Sequence, residues 1–319
     1  MPHKIFILIP ALTLAIIGCQ NNEDLLADHS NNPLSEATDQ GRLQQKVIYG
    51  VDDRLDYYQI ASSTWKGLAR STVALFFDYT LQPPSSPWNP NEKLDMSLHS
   101  YQDSYSLCST ERFHDQSTGA FCSGSLIGPD LIMTAGHCVE DQRSCEETAF
   151  VFDFRYDNAK TPPTTAKAGN VYRCKKLVRS QVDSGRGADF AIVQLDRKVT
   201  GRKPLAYRTK GEVQNGESLA IIGHPAGLPL KMAGGAKVRN TIFDKFFVAS
   251  LDSYGGNSGS AVFNVKTKKV EGILVRGEMD YVYKGPCRVS HRCTDDGCEG
   301  EDVTRVRRVL PYLDKIQSK

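Results

Sequence analysis

The chain has 319 residues, 40% of them apolar and 24% charged. That is enough for one large domain, or two small packed ones, with a real hydrophobic core. The 39 Lys and Arg against 37 Asp and Glu leave a net charge of +2. So small a charge argues against a surface built to hold a phosphate backbone, and no nucleic-acid partner is expected.

The chain opens MPHKIFILIPALTLAIIGC, with one Lys ahead of an apolar run from Ile5 to Ile17 and a small residue before Cys19. The run is shorter than the roughly 20 apolar residues that cross a bilayer as a helix, so it reads as the core of an export signal over 1–18. No other stretch of the sequence could span. Ile16-Ile17-Gly18-Cys19 resembles a bacterial lipobox, which implies cleavage before Cys19 and a lipid on its thiol. With Gln20 next, the resemblance points to the cell envelope, as an outer-membrane lipoprotein facing periplasm or exterior. An ordinary secretory signal that ends near a Cys is the alternative. Residues 20–46 hold no aromatic side chain and no sustained periodicity, so they cannot bury enough surface to fold alone. Segment 19–46 is therefore expected to be a tether or propeptide. Nine cysteines in an exported chain point to an oxidising compartment. With Cys19 set aside an even number remains, and sequence alone leaves the pairing open.

From Val47 onward, short apolar or alternating runs are separated by Gly, Pro, Asn and Asp, the pattern of many short strands. Candidate strands are Thr72–Phe77, Phe121–Ile127, Leu131–Thr134, Phe150–Phe154, Phe190–Leu195, Leu219–Ile222, Phe246–Ser250, Ser260–Phe263 and Val270–Val275. An all-β barrel or sandwich follows. Segment 82–106 is polar and Pro-rich and reads as a long surface loop, an insertion and not a domain. The charged run 196–204 breaks the core pattern, and the boundary between two units is placed there. Val303, Val306, Leu310, Leu313 and Ile316 recur at helical spacing and predict a terminal helix, with Pro311 tolerated near its start.

Acyl transfer from a hydroxyl needs a base for its proton, a carboxylate to orient that base, and donors for the oxyanion. The chain offers these in one order. Thr134-Ala135-Gly136-His137-Cys138 follows an apolar strand. Asp189 heads the apolar run Asp189-Phe190-Ala191-Ile192-Val193-Gln194-Leu195. Gly255-Gly256-Asn257-Ser258-Gly259-Ser260 surrounds a Ser with glycines, which permit the tight turn that gathers N–H groups into one small space.

TAGHC, DFAIVQLD and GNSGS, in that order, resemble the His, Asp and Ser motifs of the trypsin/chymotrypsin-like serine peptidases. GNSGS and the opening Val47-Ile48-Tyr49-Gly50-Val51-Asp52-Asp53-Arg54 resemble the bacterial glutamyl-endopeptidase-like branch in particular. The resemblance covers about Val47 to Leu313. It implies an all-β fold of two packed antiparallel six-stranded barrels with a short C-terminal helix, one barrel over 47–198 carrying His and Asp, the other over 199–319 carrying Ser. Position by position it makes Ser258 the nucleophile, His137 the base and Asp189 its orienting carboxylate, with the N–H groups of Gly256 and Ser258 as the oxyanion hole. The expected function is a serine endopeptidase acting on polypeptides as a monomer, attached to a membrane only through a lipid, without cofactor or metal. A catalytically inactive binding relative and an esterase using the same triad are the rival functions; the first needs a broken element, and none is visible.

The resemblance also implies a Cys122–Cys138 disulfide. Cys145 with Cys174 is a further guess, which leaves Cys108 to pair within Cys287, Cys293 and Cys298. Those three with His291 are alternatively zinc ligands, and the acidic run Asp295, Asp296, Glu299, Glu301 and Asp302 an alternative calcium site, but the spacing fits no usual zinc module and an oxidising compartment favours disulfides, so no metal is expected. His224, between Gly223 and Pro225, is the nearest rival base and reads as a turn residue, and Asp183 and Asp153 compete less well with Asp189. Asn257, just before the nucleophile, carries no charge to receive a buried α-ammonium. Asp252, six residues before Ser258, stands where trypsin-like enzymes keep the carboxylate of the P1 pocket, so Asp252, Arg276 and Gly277 are the expected substrate contacts, with a preference for Arg or Lys. Strand Gly272–Gly277 lacks the His that the glutamyl branch places there. Arg276 either pairs with Asp252 and cancels its charge or faces solvent.

Overall fold

The computed structural model describes residues 47–317, with side chains through Leu313, all within the compact unit Asp39–Lys319. The signal, Cys19 and tether expected over 1–46 lie outside the described residues.

Runs rich in β-branched and aromatic residues pair into a first closed barrel of six strands: β1 (Thr72–Phe77), β2 (Cys122–Gly128), β3 (Leu131–Thr134), β4 (Thr148–Phe152), β5 (Val171–Val182) and β6 (Asp189–Leu195). Around the ring they follow the order β1-β2-β3-β6-β5-β4. A second six follow the same order, β7-β8-β9-β12-β11-β10, from β7 (Ser218–Gly223), β8 (Lys231–Asn240), β9 (Phe246–Ala249), β10 (Ala261–Asn264), β11 (Val270–Arg276) and β12 (Glu301–Arg305). These are the two expected barrels. Val73, Leu75, Phe150 and Ile192 fill one, and Leu219, Val238, Phe247, Leu274 and Val303 the other. Each such buried side chain contributes about 1.5–3 kcal/mol.

Of the twelve barrel strands the sequence pattern missed three. β5 is mostly half-exposed, with Lys175 and Lys176 in solvent, so no apolar alternation marks it. β8 alternates through Ala, Gly and Lys. β12 is fully buried yet reads EDVTR. For the same reason the helical spacing reached too far back. Val303 belongs to β12, and the helix runs only over Leu310–Gln317, with Pro311 in its first turn. Nor is segment 82–106 a plain surface loop. It holds the strand Lys93–Asp95, paired with Thr165–Lys167, and the helix Tyr101–Tyr105, and it buries Leu94, Met96 and Tyr101.

The chain ends cross. Leu55–Asp56 adds to β8 of the second barrel and Ile48–Tyr49 pairs with Arg292–Cys293, so residues 47–56 do not join the first barrel as expected. The C-terminal helix instead packs on the first barrel, with the Tyr312 ring 5.7 Å from that of Phe190 on β6.

Two buried carboxylates hold the N-terminal segment. Asp56 accepts from Lys231 Nζ at 2.6 Å and from Gln116 Nε2 at 3.0 Å, and Lys231 also donates to Gln116 Oε1. Asp252 accepts from the N–H of Tyr49 at 2.7 Å and of Asp53 at 3.2 Å. Burial pushes the Asp252 carboxyl up to about 7; neighbouring Asp53 and Asp52 add to the rise, and the two N–H bonds oppose it.

Two outcomes are expected. Asp56→Ala strips a buried ammonium of its partner and should cost about 3–5 kcal/mol, a loss of roughly 10 °C in melting temperature by calorimetry. Because the folded state holds the Asp252 proton more tightly than the unfolded chain, this group's contribution is fullest below pH 4 and is lost as pH rises through about 7. Denaturant titrations across that window should show a flatter pH dependence for Asp252→Asn than for wild type.

Candidate active site

Antiparallel pairing of β3 with β6, Thr134 opposite Ala191, brings the end of one strand beside the start of the other. His137 lies in the turn Gly136–Cys138 just past β3, and Asp189 is the first residue of β6. Asp189 is fully buried. Its Oδ1 accepts from the N–H of Gly136 at 2.6 Å and of His137 at 3.2 Å, and its Oδ2 lies 2.7 Å from His137 Nδ1. Burial alone would raise the carboxyl; the hydrogen bonds and charge of His137, with Arg276 adding, more than offset this and hold it below the ordinary carboxylate range. An ionised Asp189 on Nδ1 fixes the imidazole with Nδ1–H donating, which leaves Nε2 as the basic nitrogen. Among the described residues Nε2 hydrogen-bonds nothing.

Ser258 comes from the other barrel, in the loop before β10. Its carbonyl accepts from the N–H of Ser123 on β2 at 2.8 Å and lies 3.8 Å from Cys138 Sγ. The Ser258 loop therefore touches the strand and disulfide that flank His137. Gly259, at φ +87°, permits this approach, since a Cβ there would strike the Ser123 carbonyl and the Thr134 hydroxyl. Tyr254 to Asn257 form a turn closed by a 3.0 Å bond from Asn257 N to Tyr254 O, with Gly256 at φ +84° in its third position, a type II turn that calls for Gly there. The Gly255 carbonyl accepts from Ala226 N at 2.5 Å. In a trans peptide the N–H of Gly256 then points the opposite way. Ser123 Oγ donates to the Gly256 carbonyl at 2.8 Å and fixes the next peptide. A cleft of about 560 Å³ opens beside Gly255 and Gly256, bordered by His99, Tyr105, Phe121 and Asp280. It is wide enough for several side chains of a bound polypeptide.

The rival groups are engaged elsewhere. His224 is 1% exposed, with Nδ1 on the Leu228 carbonyl and its ring stacked on Phe154. Burial pushes it down to about 3, so it stays neutral and structural. Asp183 accepts from Lys245 and the Ala188 N–H, and Asp153 from Arg202 and Asn170. Asn257 Oδ1 accepts from Ser260 Oγ. The cysteines pair as Cys122–Cys138, Cys145–Cys174, Cys108–Cys287 and Cys293–Cys298.

The expected substrate contacts are placed differently. Asp252 spends its carboxylate on the Tyr49 and Asp53 N–H groups, because segment 49–53 runs against it. Arg276 neither pairs with Asp252 nor faces solvent. It is 6% exposed and bound to Asp302 and the Gly187 carbonyl. Gly277 abuts the carboxylate of Glu301, and Glu301 Oε2 accepts from Ser253 Oγ at 2.7 Å. Sequence reasoning missed Ser123 and Thr304, and weighed Glu301 and Asp302 only as calcium ligands in an acidic run. Only the charges of buried EDVTR could have flagged the last three, and nothing marks Ser123 in advance.

A family profile described as the trypsin-like peptidase domain matches residues 122–273. A glutamyl endopeptidase from Bacillus licheniformis is 28% identical over 244 residues, 72% of each chain. One from Staphylococcus aureus is 27% identical over 163 residues, 48% of this chain and 42% of that protein. The solved structure of Glu endopeptidase in complex with MPD aligns over 86% of this chain and all of its own, at 15% identity and a TM-score of 0.48. The profile runs from Cys122, the disulfide partner of the Cys beside His137, through Asp189 and past Ser258 into β11, and the chain is a serine endopeptidase.

Proposed function

We propose that the chain cuts polypeptides through an acyl-enzyme at Ser258, with His137 as base and then acid, Asp189 as its orienting carboxylate, and the N–H groups of Gly256 and Ser258 as the oxyanion hole. The observation that carries this reading is the buried Asp189 carboxylate on His137 Nδ1 at 2.7 Å. Nε2 takes the Ser258 proton as Oγ attacks the scissile carbonyl. The negative oxygen of the adduct is received by the two N–H groups, and His137 returns the proton to the leaving amine as the C–N bond breaks. Water repeats the sequence on the ester and releases the acid. Four disulfides suit an oxidising compartment, and this fits an exported protein held to the membrane by lipid on Cys19.

The reading includes cleavage after Arg or Lys. Its support is the Glu301 carboxylate, lodged between Ser253 and Gly277, the two segments that flank the expected P1 pocket. A basic P1 group meets an acid there and an acidic one is repelled. Cleavage after Glu is the second reading, favoured by relatives that are glutamyl endopeptidases. Against it stands β11, which has no His and whose Arg276 is taken by Asp302.

Digestion of a peptide library, with mass spectrometric mapping of the cuts, tests both. Ser258→Ala and His137→Ala should each lower kcat by roughly a millionfold while the fold persists, and His224→Gln should remain active. Wild type should cut after Arg and Lys. Glu301→Gln should lose that preference on the order of tenfold to a hundredfold, and Asp252→Ser should keep it. Cuts after Glu by wild type would install the second reading.

A further inference from the structure

Two arginines converge on one carboxylate behind Asp189. Asp302, on β12, is 2% exposed. Arg186, in the turn before β6, reaches its two oxygens with Nε at 3.0 Å and Nη2 at 2.6 Å. Arg276, the last residue of β11, places Nε 3.2 Å from Asp302 Oδ2 and donates from Nη2 to the Gly187 carbonyl at 2.5 Å. Thr304, two residues beyond Asp302 and so on the same face of β12, accepts from the Asp189 N–H at 3.2 Å. The second barrel thus grips residues 186, 187 and 189 of the first. A guanidinium is suited to this, since its rigid fork serves two acceptors at once and it keeps its charge when buried.

We propose that Arg276 is a positioning residue of the catalytic apparatus: by bridging Asp302 and the Gly187 carbonyl it fixes the segment that presents Asp189 to His137. The proposal rests on Asp189 acting through His137 as set out above. Asp189 enters β6 only two residues after Gly187, so a shift of that carbonyl moves the carboxylate, and the 2.7 Å bond to Nδ1 passes the shift to the imidazole. The groups facing Arg276 are Asp302, the Arg186 that shares it, and the Phe246 ring. Its charge also lies among those that favour ionised Asp189.

Steady-state kinetics of Arg276→Gln and Arg276→Lys against wild type, over a pH series with one peptide substrate, test this. Arg276→Gln should lower kcat by about tenfold or more, leave KM within about twofold, and move the acid limb of the kcat profile to higher pH, because a cation no longer opposes protonation of Asp189. Arg276→Lys keeps the charge but cannot span both acceptors, so its kcat should fall while the acid limb stays near that of wild type. Thermal melting confirms that each variant is folded; if Arg276→Gln does not fold, Arg276→Lys decides. Folded variants with unchanged kcat, or with a raised KM and altered P1 preference at unchanged kcat, would overturn the proposal and make Arg276 a substrate contact. A wild type that cleaves no peptide overturns the reaction and this proposal together, whereas normal cleavage by both variants overturns this proposal alone.

Discussion

Asp189 is an ionised carboxylate sealed inside the protein, and much of the surrounding polar structure is explained by the need to keep that charge there. A buried ion without partners costs several kcal/mol or more. Here the first barrel supplies two backbone N–H groups and an imidazole, and the second supplies Thr304 behind the Asp189 backbone and the Arg276 charge nearby. The site cannot be assigned to either barrel. Each contributes groups that would be left buried and unmatched if the other moved away.

The rest of the architecture repeats this dependence at larger scale. The two barrels share one strand order, yet each is finished by a chain end from the other: Leu55–Asp56 extends β8, and the terminal helix covers β6 near Phe190. Ser123 makes a threefold link. Its N–H, hydroxyl hydrogen and hydroxyl oxygen meet the Ser258 carbonyl, the Gly256 carbonyl and the His224 N–H. A single strand residue of the first barrel thereby sets both the Ser258 peptide and the turn before it. The neutral, buried His224 fits the same account, as a ring that fills space against Phe154.

What the sequence made legible follows from how each piece is stabilised. β1, β3 and β6 were visible because apolar burial alone explains them. β12 was not, because its Glu301, Asp302 and Arg305 are buried by partners distant in the chain, Ser253, Arg276 and Glu212. A strand solvated by its own protein looks like a loop in one dimension. His137, Asp189 and Ser258 were legible because local chemistry surrounds each of them, a turn, a strand start and a glycine cluster. Asp252 misled for the opposite reason. Its spacing from Ser258 was right for a pocket floor, but spacing carries no information about the N-terminal segment that folds back and takes its oxygens.

The Pro-rich insertion bears on a hazard peculiar to enzymes of this kind, which must survive their own company. A peptidase accepts a substrate only as a stretch of extended, released chain, so a folded loop is cut at the rate at which it opens. The insertion is anchored by buried Leu94, Met96 and Tyr101, and the Cys108–Cys287 bond ties the chain just beyond it to a region 179 residues away. Arg112, the basic residue that next meets solvent, has its guanidinium on the carbonyls of Asp52 and Arg54. Reduction of that one sulfur pair would remove a covalent tie next to the insertion and raise the rate at which the segment opens to a peptidase.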